Sequence, residues 1–267
     1  PDYILKLKQN YFKNRTNPIN HQENLGGVAY NVAKMLSFLN QKTKLYSLNC
    51  NKIQRKEIIS KGIKFKALNR KIFNRYYASV LDIHGKMVFG LANMDYYEKF
   101  TEYNNSLIFI NKRIILDLNL SSVLIRNIVN VNYKKNYICI CGTSAHKVYK
   151  IKNLIKKIDT IILNKQESLT LTKKNSIKDS LNYLIKKNKK LNIIITNGKN
   201  AVNAYINNIK YIIKPPLTNL KNENGAGDTF IAIFNYFYKN SFNDLTSLNK
   251  GICGGSLQAS GYANTKQ

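Results

Sequence analysis

A glycine-rich segment near the carboxyl end of the chain combines a candidate anion site with one acidic side chain. It reads Asn222-Glu-Asn-Gly-Ala-Gly-Asp-Thr-Phe230 and stands directly before an apolar helical period. Backbone N–H groups at a helix N-terminus bind anions, and glycines let a ligand come close to the backbone. Asp228 beside them could accept a proton from an attacking hydroxyl, which suits phosphoryl transfer. The same residues also suit an ordinary Asp N-cap after a glycine turn, so spacing alone leaves both interpretations open.

The middle of the chain must supply the frame that positions this segment. Short apolar runs alternate there with helix-length segments, which predicts a mostly parallel sheet covered by helices on both faces. The predicted strands are residues 113–117, 136–141, 160–163 and 192–196, and two of the helix-length segments are residues 147–157 and 177–187. We therefore predict a three-layer α/β/α sandwich formed as a single domain by residues 1–267.

A small β appendage is predicted outside this alternation. Two β-prone runs flank His84-Gly85, and such runs around a short glycine turn are typical of a hairpin. We assign this hairpin to residues 76–91. The opening stretch as far as Asn24 is polar and shows no clear period, whereas a helical period begins after Gly26-Gly27.

The composition of the chain narrows its possible partners, its location and its metal sites. A net charge of +29 by itself suggests a polyanionic partner, but the lysines are dispersed along all 267 residues, which argues against nucleic acid as a partner. Such a field would still attract an anionic nucleotide. No apolar run is long enough to span a membrane, and we expect a cytoplasmic protein. The pair Cys139 and Cys141 could share a metal, but no further ligands complete a site, which favours a buried strand.

The glycine-rich segment also resembles a known signature. Gly225-Ala-Gly-Asp228, with Thr229 and the apolar helix after it, is similar to the C-terminal signature of the PfkB, or ribokinase-like, carbohydrate and nucleoside kinases. Gly26-Gly27-Val-Ala-Tyr-Asn31-Val-Ala33 resembles their N-terminal signature. Asn164-Lys-Gln-Glu167 is similar to the family's Asn-x-x-Glu, and Thr196-Asn-Gly198 to its Thr-x-Gly. The resemblance implies a ribokinase-like fold and a phosphotransferase with an alcohol group as acceptor.

Within the family the likeness is greatest to the pseudouridine kinases. It rests on Thr16-Asn17-Pro18, on Tyr77-Ala-Ser-Val-Leu-Asp82, on Asp117-Leu-Asn119, and on Thr143-Ser144-Ala145 with Lys147. This likeness implies ATP-dependent phosphorylation of the 5′-hydroxyl of pseudouridine. A ribokinase or another sugar or nucleoside kinase of the family is the first alternative. The alternative from another class is a degenerate, non-catalytic basic binding protein on the same scaffold, which would bind RNA in a salt-dependent way.

The resemblance also implies a role for each matching position, with ATP and Mg²⁺ as cofactors. The residues are Asp228 as the base; Gly225, Ala226 and Gly227 as the anion hole; Gly26, Gly27, Asn31 and Asp2 for the substrate; Thr196, Gly198 and Asn264 for the nucleotide; and Asn164 and Glu167 for the metal. Lids like the predicted hairpin can close over a sugar, and the resemblance implies that they can pair two subunits as a homodimer.

Structural interpretations stand beside these roles. Gly26-Gly27 could form an ordinary turn, Glu167 could simply favour a helix N-terminus by its charge, and the hairpin could be structural only. The register near Asp2 is loose. Because the chain begins with Pro1, we expect the family's first strand to be missing from it.

Other family features are also eroded. Residues 48–53 lack the expected glycines and acid, and Cys141-Gly-Thr-Ser144 lacks an acidic group. Asn224 replaces a usual Thr before the glycines. This pattern fits a fast-evolving functional enzyme or an early pseudoenzyme.

Overall fold

The computed structural model describes residues 1–103, 105–221, 224–240 and 242–261. Within them the chain forms twelve strands and eight α-helices. The strands are β1 (Asp2–Leu7), β2 (Ile19–Asn24), β3 (Lys44–Asn49), β4 (Lys64–Ile72), β5 (Tyr76–Leu81), β6 (Met87–Asn93), β7 (Arg113–Leu116), β8 (Tyr137–Cys141), β9 (Thr160–Asn164), β10 (Asn192–Asn197), β11 (Asn200–Ile206) and β12 (Ile209–Ile213). The helices are α1 (Val28–Phe38), α2 (Lys52–Ser60), α3 (Asp95–Lys99), α4 (Ser122–Asn132), α5 (Lys165–Thr172), α6 (Ile177–Lys187), α7 (Ala226–Lys239) and α8 (Asp244–Ala259).

The main sheet has six strands in the order β12-β11-β10-β9-β8-β7. Strands β7 to β10 are parallel, whereas β11 and β12 run antiparallel at one edge. The central strands are apolar on both faces and fully buried, as expected for a parallel sheet between two helical layers. The predicted α/β fold with a mostly parallel sheet is confirmed.

Helices cover both faces of this sheet. One face packs against α4 and α6 through a core that includes Leu124, Ile128 and Leu184. The opposite face packs against α1, α7 and α8, with Phe234 and Leu248 fully buried. Helices α1 and α7 therefore lie side by side in the same layer.

The segment after β8 differs from its prediction. Residues 147–157 were expected to have helix length, but the structure has two 3₁₀ helices, Ala145–Ile151 and Ile155–Lys157. Side chains three residues apart eclipse in a 3₁₀ helix. This geometry turns Lys147 and Lys150 to the same side, where both amino groups find acceptors on the loop after β7.

A second sheet of four strands, in the order β2-β1-β5-β6, forms the appendage. The hairpin assigned to residues 76–91 is its β5 and β6 half, turning at Gly85 with φ of 84°. Strands β1 and β2 come from the opening stretch, for which the sequence predicts no element. The pattern of β2 was invisible because nearly all of its residues are polar and all are exposed.

A cleft interrupts the fold between β3 and β7. Strand β3 pairs with β4 alone among the described strands, and a cavity of about 760 Å³ separates it from β7. The guanidinium of Arg113 at the start of β7 donates to Gln41 Oε1 near the start of β3, at 3.3 Å. This bond brings the starts of the two strands together at one end of the cleft.

In the part of the chain that the structure describes, no helix has the length and apolar character needed to cross a bilayer.

Candidate active site

The carboxyl ends of the parallel strands and the start of α7 meet at one edge of the molecule. Asp117 follows β7, Gly142 follows β8, Asn164 ends β9 and Thr196 lies near the end of β10. Asp228 lies in the first turn of α7. In open α/β sheets this carboxyl edge is where ligands bind.

Asp228 is held by a partner from the other end of the chain. Asn31 of α1 donates through Nδ2 to Asp228 Oδ2 at 2.7 Å, which joins the two sequence signatures directly. Burial raises the pKa of Asp228 to about 6, and the negative charges of Asp117 and Asp2 add to the rise while the bond from Asn31 opposes it. A carboxylate with such a pKa is ionised near neutral pH and remains basic enough to accept a proton.

The glycine loop before α7 has the conformation of a helix-start anion site. Gly225 caps the helix in the left-handed region, with φ of 77°. A Cβ placed on Gly227 would meet open space, so its backbone is accessible from that side. The N–H groups of the first helical turn have no intrahelical acceptor and are available to an anion. Gly225, Ala226 and Gly227 thus lie beside Asp228 as the sequence suggests.

The four substrate positions suggested by the sequence lie together. Asp2 begins β1, and its carboxylate occupies the space that a Cβ on Gly26 would need, so only glycine fits there. Gly27 has φ of 106°, which again requires glycine. Burial raises the pKa of the Asp2 carboxyl, although the charge of Arg75 opposes this. Asp2 Oδ1 is buried without a hydrogen-bond donor among the described residues, so it could accept a substrate hydroxyl.

Sequence reasoning missed Arg75, the residue directly before β5. Its guanidinium forms an ion pair with Asp2 at 3.4 Å and donates to the carbonyl oxygen of Gly26 at 3.1 Å. It thereby ties the appendage to the turn before α1. A single arginine at a strand start carries no signal in the sequence that would have indicated this position.

Asn164 and Glu167 form a capping box at the start of α5. Asn164 N donates to Glu167 Oε2 at 2.8 Å, and Glu167 N donates to Asn164 Oδ1 at 2.9 Å. The structural interpretation, in which Glu167 favours the start of a helix, therefore agrees with the structure. Burial raises the pKa of Glu167. Its carboxylate lies over Gly142, where a Cβ would overlap it.

The donor set at Glu167 fits a loosely held Mg²⁺. No group of three or more His, Cys, Asp or Glu that could hold a metal is found among the described residues. One carboxylate oxygen of Glu167 is engaged by the capping box, which leaves Oε1 for a hydrated cation. Mg²⁺ commonly keeps several waters and uses one or two carboxylates together with substrate phosphates.

The candidate nucleotide residues lie farther along the same edge. Thr196 is half-buried, and its hydroxyl donates to Leu163 O at 3.5 Å. Gly198 turns the chain from β10 into β11 with φ of 55°, and a Cβ there would meet open space. Asn264 lies outside the described residues.

A polar network behind the edge completes the site. Asp117 Oδ2 accepts from the backbone N–H of Ala29 at 3.3 Å and from Asn119 Nδ2 at 2.8 Å. Lys147 Nζ in turn donates to Asn119 Oδ1 at 2.8 Å. The sequence linked Asp117, Asn119 and Lys147 to a family pattern but did not indicate that they contact one another.

Comparison with known proteins agrees with this geometry. A profile of the family described as "pfkB family carbohydrate kinase" matches residues 5–251. No curated protein matches the chain.

Solved structures are similar over nearly the whole chain. A carbohydrate kinase from Agrobacterium tumefaciens is 21% identical, with a TM-score of 0.79 over 96% of this chain and 86% of that one. A ribokinase from Thermotoga maritima is 13% identical, with a TM-score of 0.78 over 97% and 89%. A nucleoside kinase from Methanocaldococcus jannaschii is 17% identical, with a TM-score of 0.75 over 99% and 89%. Identities this low show the fold alone, and they confirm the fold expected from the sequence.

Proposed function

This chain belongs to the pfkB family of carbohydrate kinases, and from this premise we propose that it transfers the γ-phosphoryl group of ATP to the 5′-hydroxyl of pseudouridine. One observation supports the proposed kinase chemistry most directly. Asp228 stands beside the open glycine loop and is held by Asn31 from the other signature. Phosphoryl transfer requires a base that accepts the proton of the attacking hydroxyl and groups that stabilise the charge on the phosphoryl group, and Asp228 and the adjacent anion site provide both.

The residues suggest a simple sequence of events. With Oδ2 held by Asn31, Asp228 presents Oδ1 to the acceptor hydroxyl and takes its proton. The acceptor oxygen forms a bond to the γ-phosphorus while the bond between that phosphorus and the β,γ-bridging oxygen breaks, which leaves ADP. The N–H groups at the start of α7 stabilise the charge on the transferring group.

The other predicted residues complete the proposal. Asp2, Gly26 and Gly27 would bind the sugar hydroxyls, and Thr196, Gly198 and Asn264 would lie along the nucleotide. When bound, Mg²⁺ supplies charge neutralisation to the phosphates. Asn164 positions Glu167, whose remaining oxygen would face the hydrated ion.

Pseudouridine is favoured over other acceptors by the sequence alone. The support comes from the Thr16-Asn17-Pro18 segment and from the Asp117, Asn119 and Lys147 positions, which resemble those of pseudouridine kinases. Ribose or another sugar or nucleoside remains the first alternative. The family match supports a carbohydrate kinase and does not distinguish among these acceptors.

We also propose that the appendage is a lid and a pairing surface. The hairpin of residues 76–91 carries exposed apolar side chains, with Met87, Phe89 and Leu91 each more than 40% exposed. Such a surface would suit closure over a sugar and pairing with the lid of a second copy.

The whole chain would act as one kinase domain whose sheet accepts one more strand between β3 and β7. A residue in a buried strand occupies about 160 Å³. This volume is the product of a rise of ~3.3 Å along the strand, a spacing of ~4.8 Å between strands and a spacing of ~10 Å between layers. The cavity of about 760 Å³ thus corresponds to roughly five strand residues. Strands β3 and β7 are six and four residues long.

The function is tested by measuring ATP-dependent phosphorylation of pseudouridine, uridine, ribose and fructose. Turnover confined to pseudouridine, lost in Asp228→Asn and kept in the exposed Asp95→Asn control, is the expected result. Turnover on ribose or fructose would keep the base and replace the acceptor. A folded protein that turns over none of them and binds RNA in a salt-dependent way would instead be a binding protein on this scaffold.

A further inference from the structure

We propose that Lys147 is a phosphate-binding residue whose amino group contacts the γ-phosphoryl group of the nucleotide. This inference rests on the proposed kinase function and assigns a ligand to Lys147, for which the resemblance implied no role. Three observations support it. Lys147 and Lys150 are both buried on one 3₁₀ helix but differ in their partners, the buried Ser144 hydroxyl beside them has no hydrogen-bond partner among the described residues, and this helix lies at the carboxyl edge of the sheet.

Lys150 shows what a structural lysine looks like in this environment. Its side chain is 0% exposed, and Nζ lies 2.7 Å from both Glu98 oxygens. It also donates to the carbonyl oxygens of Leu118 and Leu120 at 2.9 and 2.8 Å. The charge is therefore paired and the donors are fully used. Lys150 fastens the loop after β7 to α3.

Lys147 has the same burial without the same partners. Its side chain is 8% exposed, and Nζ has a single hydrogen bond, to Asn119 Oδ1 at 2.8 Å. The nearest carboxylate among the described residues is Glu98, whose Oε1 lies 3.8 Å away, beyond hydrogen-bond range, and already binds Lys150. An ammonium carries three donors, so at least one remains for a ligand.

Electrostatics agree with an anionic ligand. Burial lowers the pKa of Lys147, Glu98 and Asp117 oppose this, and Lys150 and Arg75 add to it. A buried charge is costly unless it is paired. Glu98 is shared with Lys150 and lies 3.8 Å from Lys147 Nζ, so a phosphate beside Nζ would add negative charge and accept from the unused donor.

The surroundings of Lys147 also point to a ligand. Ser144 begins the same helical turn, and Lys147 N donates to its carbonyl oxygen at 3.0 Å. The Ser144 hydroxyl oxygen is buried without a hydrogen-bond partner among the described residues. Two polar groups with unused hydrogen-bonding capacity thus lie on one turn, shortly after Gly142, over which the Glu167 carboxylate lies.

The position of Lys147 in the site favours contact with the γ-phosphate, the group that is transferred. Through Asn119 it is linked to Asp117, which accepts from the N-terminal turn of α1 and whose charge raises the pKa of Asp228. Lys147 is therefore on the side of the site where the acceptor, the base and the γ-phosphate meet. We expect its charge to matter for ligands that carry a γ-phosphate and to matter little for ADP.

The test compares binding of the non-hydrolysable ATP analogue AMP-PNP with binding of ADP, by calorimetry on the whole chain. Lys147→Met should weaken AMP-PNP by at least about 10-fold, as expected for a charge-assisted hydrogen bond, and leave ADP affinity within about twofold. In the turnover assay it should lower kcat by about 100-fold. Lys152→Met, an exposed position on the same segment, should change neither.

Equal effects on AMP-PNP and ADP, or none on either, would overturn the assignment even if the wild-type protein phosphorylates no acceptor. Absence of turnover in the wild-type protein would instead count against the proposed function. If Lys147→Met does not fold, lysine acetylation of the wild-type protein decides the matter. AMP-PNP, but not ADP, should then protect Lys147 and leave Lys150 unchanged; equal labelling with both nucleotides would refute the proposal.

Discussion

Replacing Asn31 by leucine should raise the pKa of Asp228 and move the acid limb of the activity profile to higher pH. The Nδ2 group of Asn31 stabilises the ionised carboxylate through a bond of 2.7 Å. Leucine is close to asparagine in size and cannot donate, so it keeps water out while it removes the bond. Burial and the charges of Asp117 and Asp2, which raise the pKa, would then act unopposed.

The size of the shift follows from that one bond. A hydrogen bond to a charged group contributes about 1.5–3 kcal/mol, and one pKa unit corresponds to about 1.4 kcal/mol. The pKa of Asp228 should therefore move from about 6 upward by roughly 1 to 2 units. At neutral pH this would leave the base largely protonated and the enzyme slow, with activity recovered in more alkaline buffer.

The assay is kcat/KM for the acceptor between about pH 5 and 9 at constant ionic strength, because this ratio reports groups of the free enzyme. The wild-type profile should fall to half on the acid side near pH 6. Asn31→Leu should reach a similar plateau at a higher pH.

Asn130→Leu changes an exposed asparagine of α4 and should leave the acid limb in place. An acid limb that does not move in Asn31→Leu would show that another group titrates, and a downward shift would show that water has replaced the lost donor. Either result would refute the reasoning.

Two further predictions concern stability. Asp228→Asn should raise Tm at pH 8, because the folded pKa of Asp228, about 6, exceeds the ordinary value of 3.8. Ionisation of this carboxyl therefore destabilises the folded state increasingly between pH 3.8 and pH 6, and by at most about 3 kcal/mol above pH 6. Below pH 3.8 the carboxyl is protonated in both states and has no such effect. Equal Tm changes at pH 8 and pH 3.5 would contradict this. Placing a copy of the Thr160–Asn164 strand directly before Pro1 should fill the cleft, since Pro1 is half-buried and lies near Cys50 just past β3. It should raise Tm by several degrees and slow hydrogen exchange in Lys44–Asn49 and Arg113–Leu116, and a glycine-serine fusion of equal length should do neither.

The buried strands could be read from the sequence because their chemistry is local. Runs such as Thr160–Asn164 are apolar on both faces, and that pattern is stable only inside a parallel sheet between helices. The appendage was recognised in part for the same reason. Its hairpin has a glycine turn, but β2 exposes every residue and therefore carries no apolar period.

The candidate base and glycine loop were also accessible from sequence, since a helix start creates an anion site from adjacent residues. The bond between Asn31 and Asp228 was not, although both residues were singled out. It joins positions 197 residues apart and depends on the packing of α1 against α7.

What the sequence by itself determined was the central buried strands, the hairpin of residues 76–91 and the positions of its two signatures. Only the tertiary structure decided which polar side chains face one another, including Arg75 with Asp2 and Lys147 with Asn119. The physical reason is that burial patterns follow from local periodicity, whereas hydrogen bonds between distant segments depend on side-chain direction. That direction is set by backbone detail, such as a 3₁₀ turn in place of an α-helical one after β8, which residue types alone do not encode.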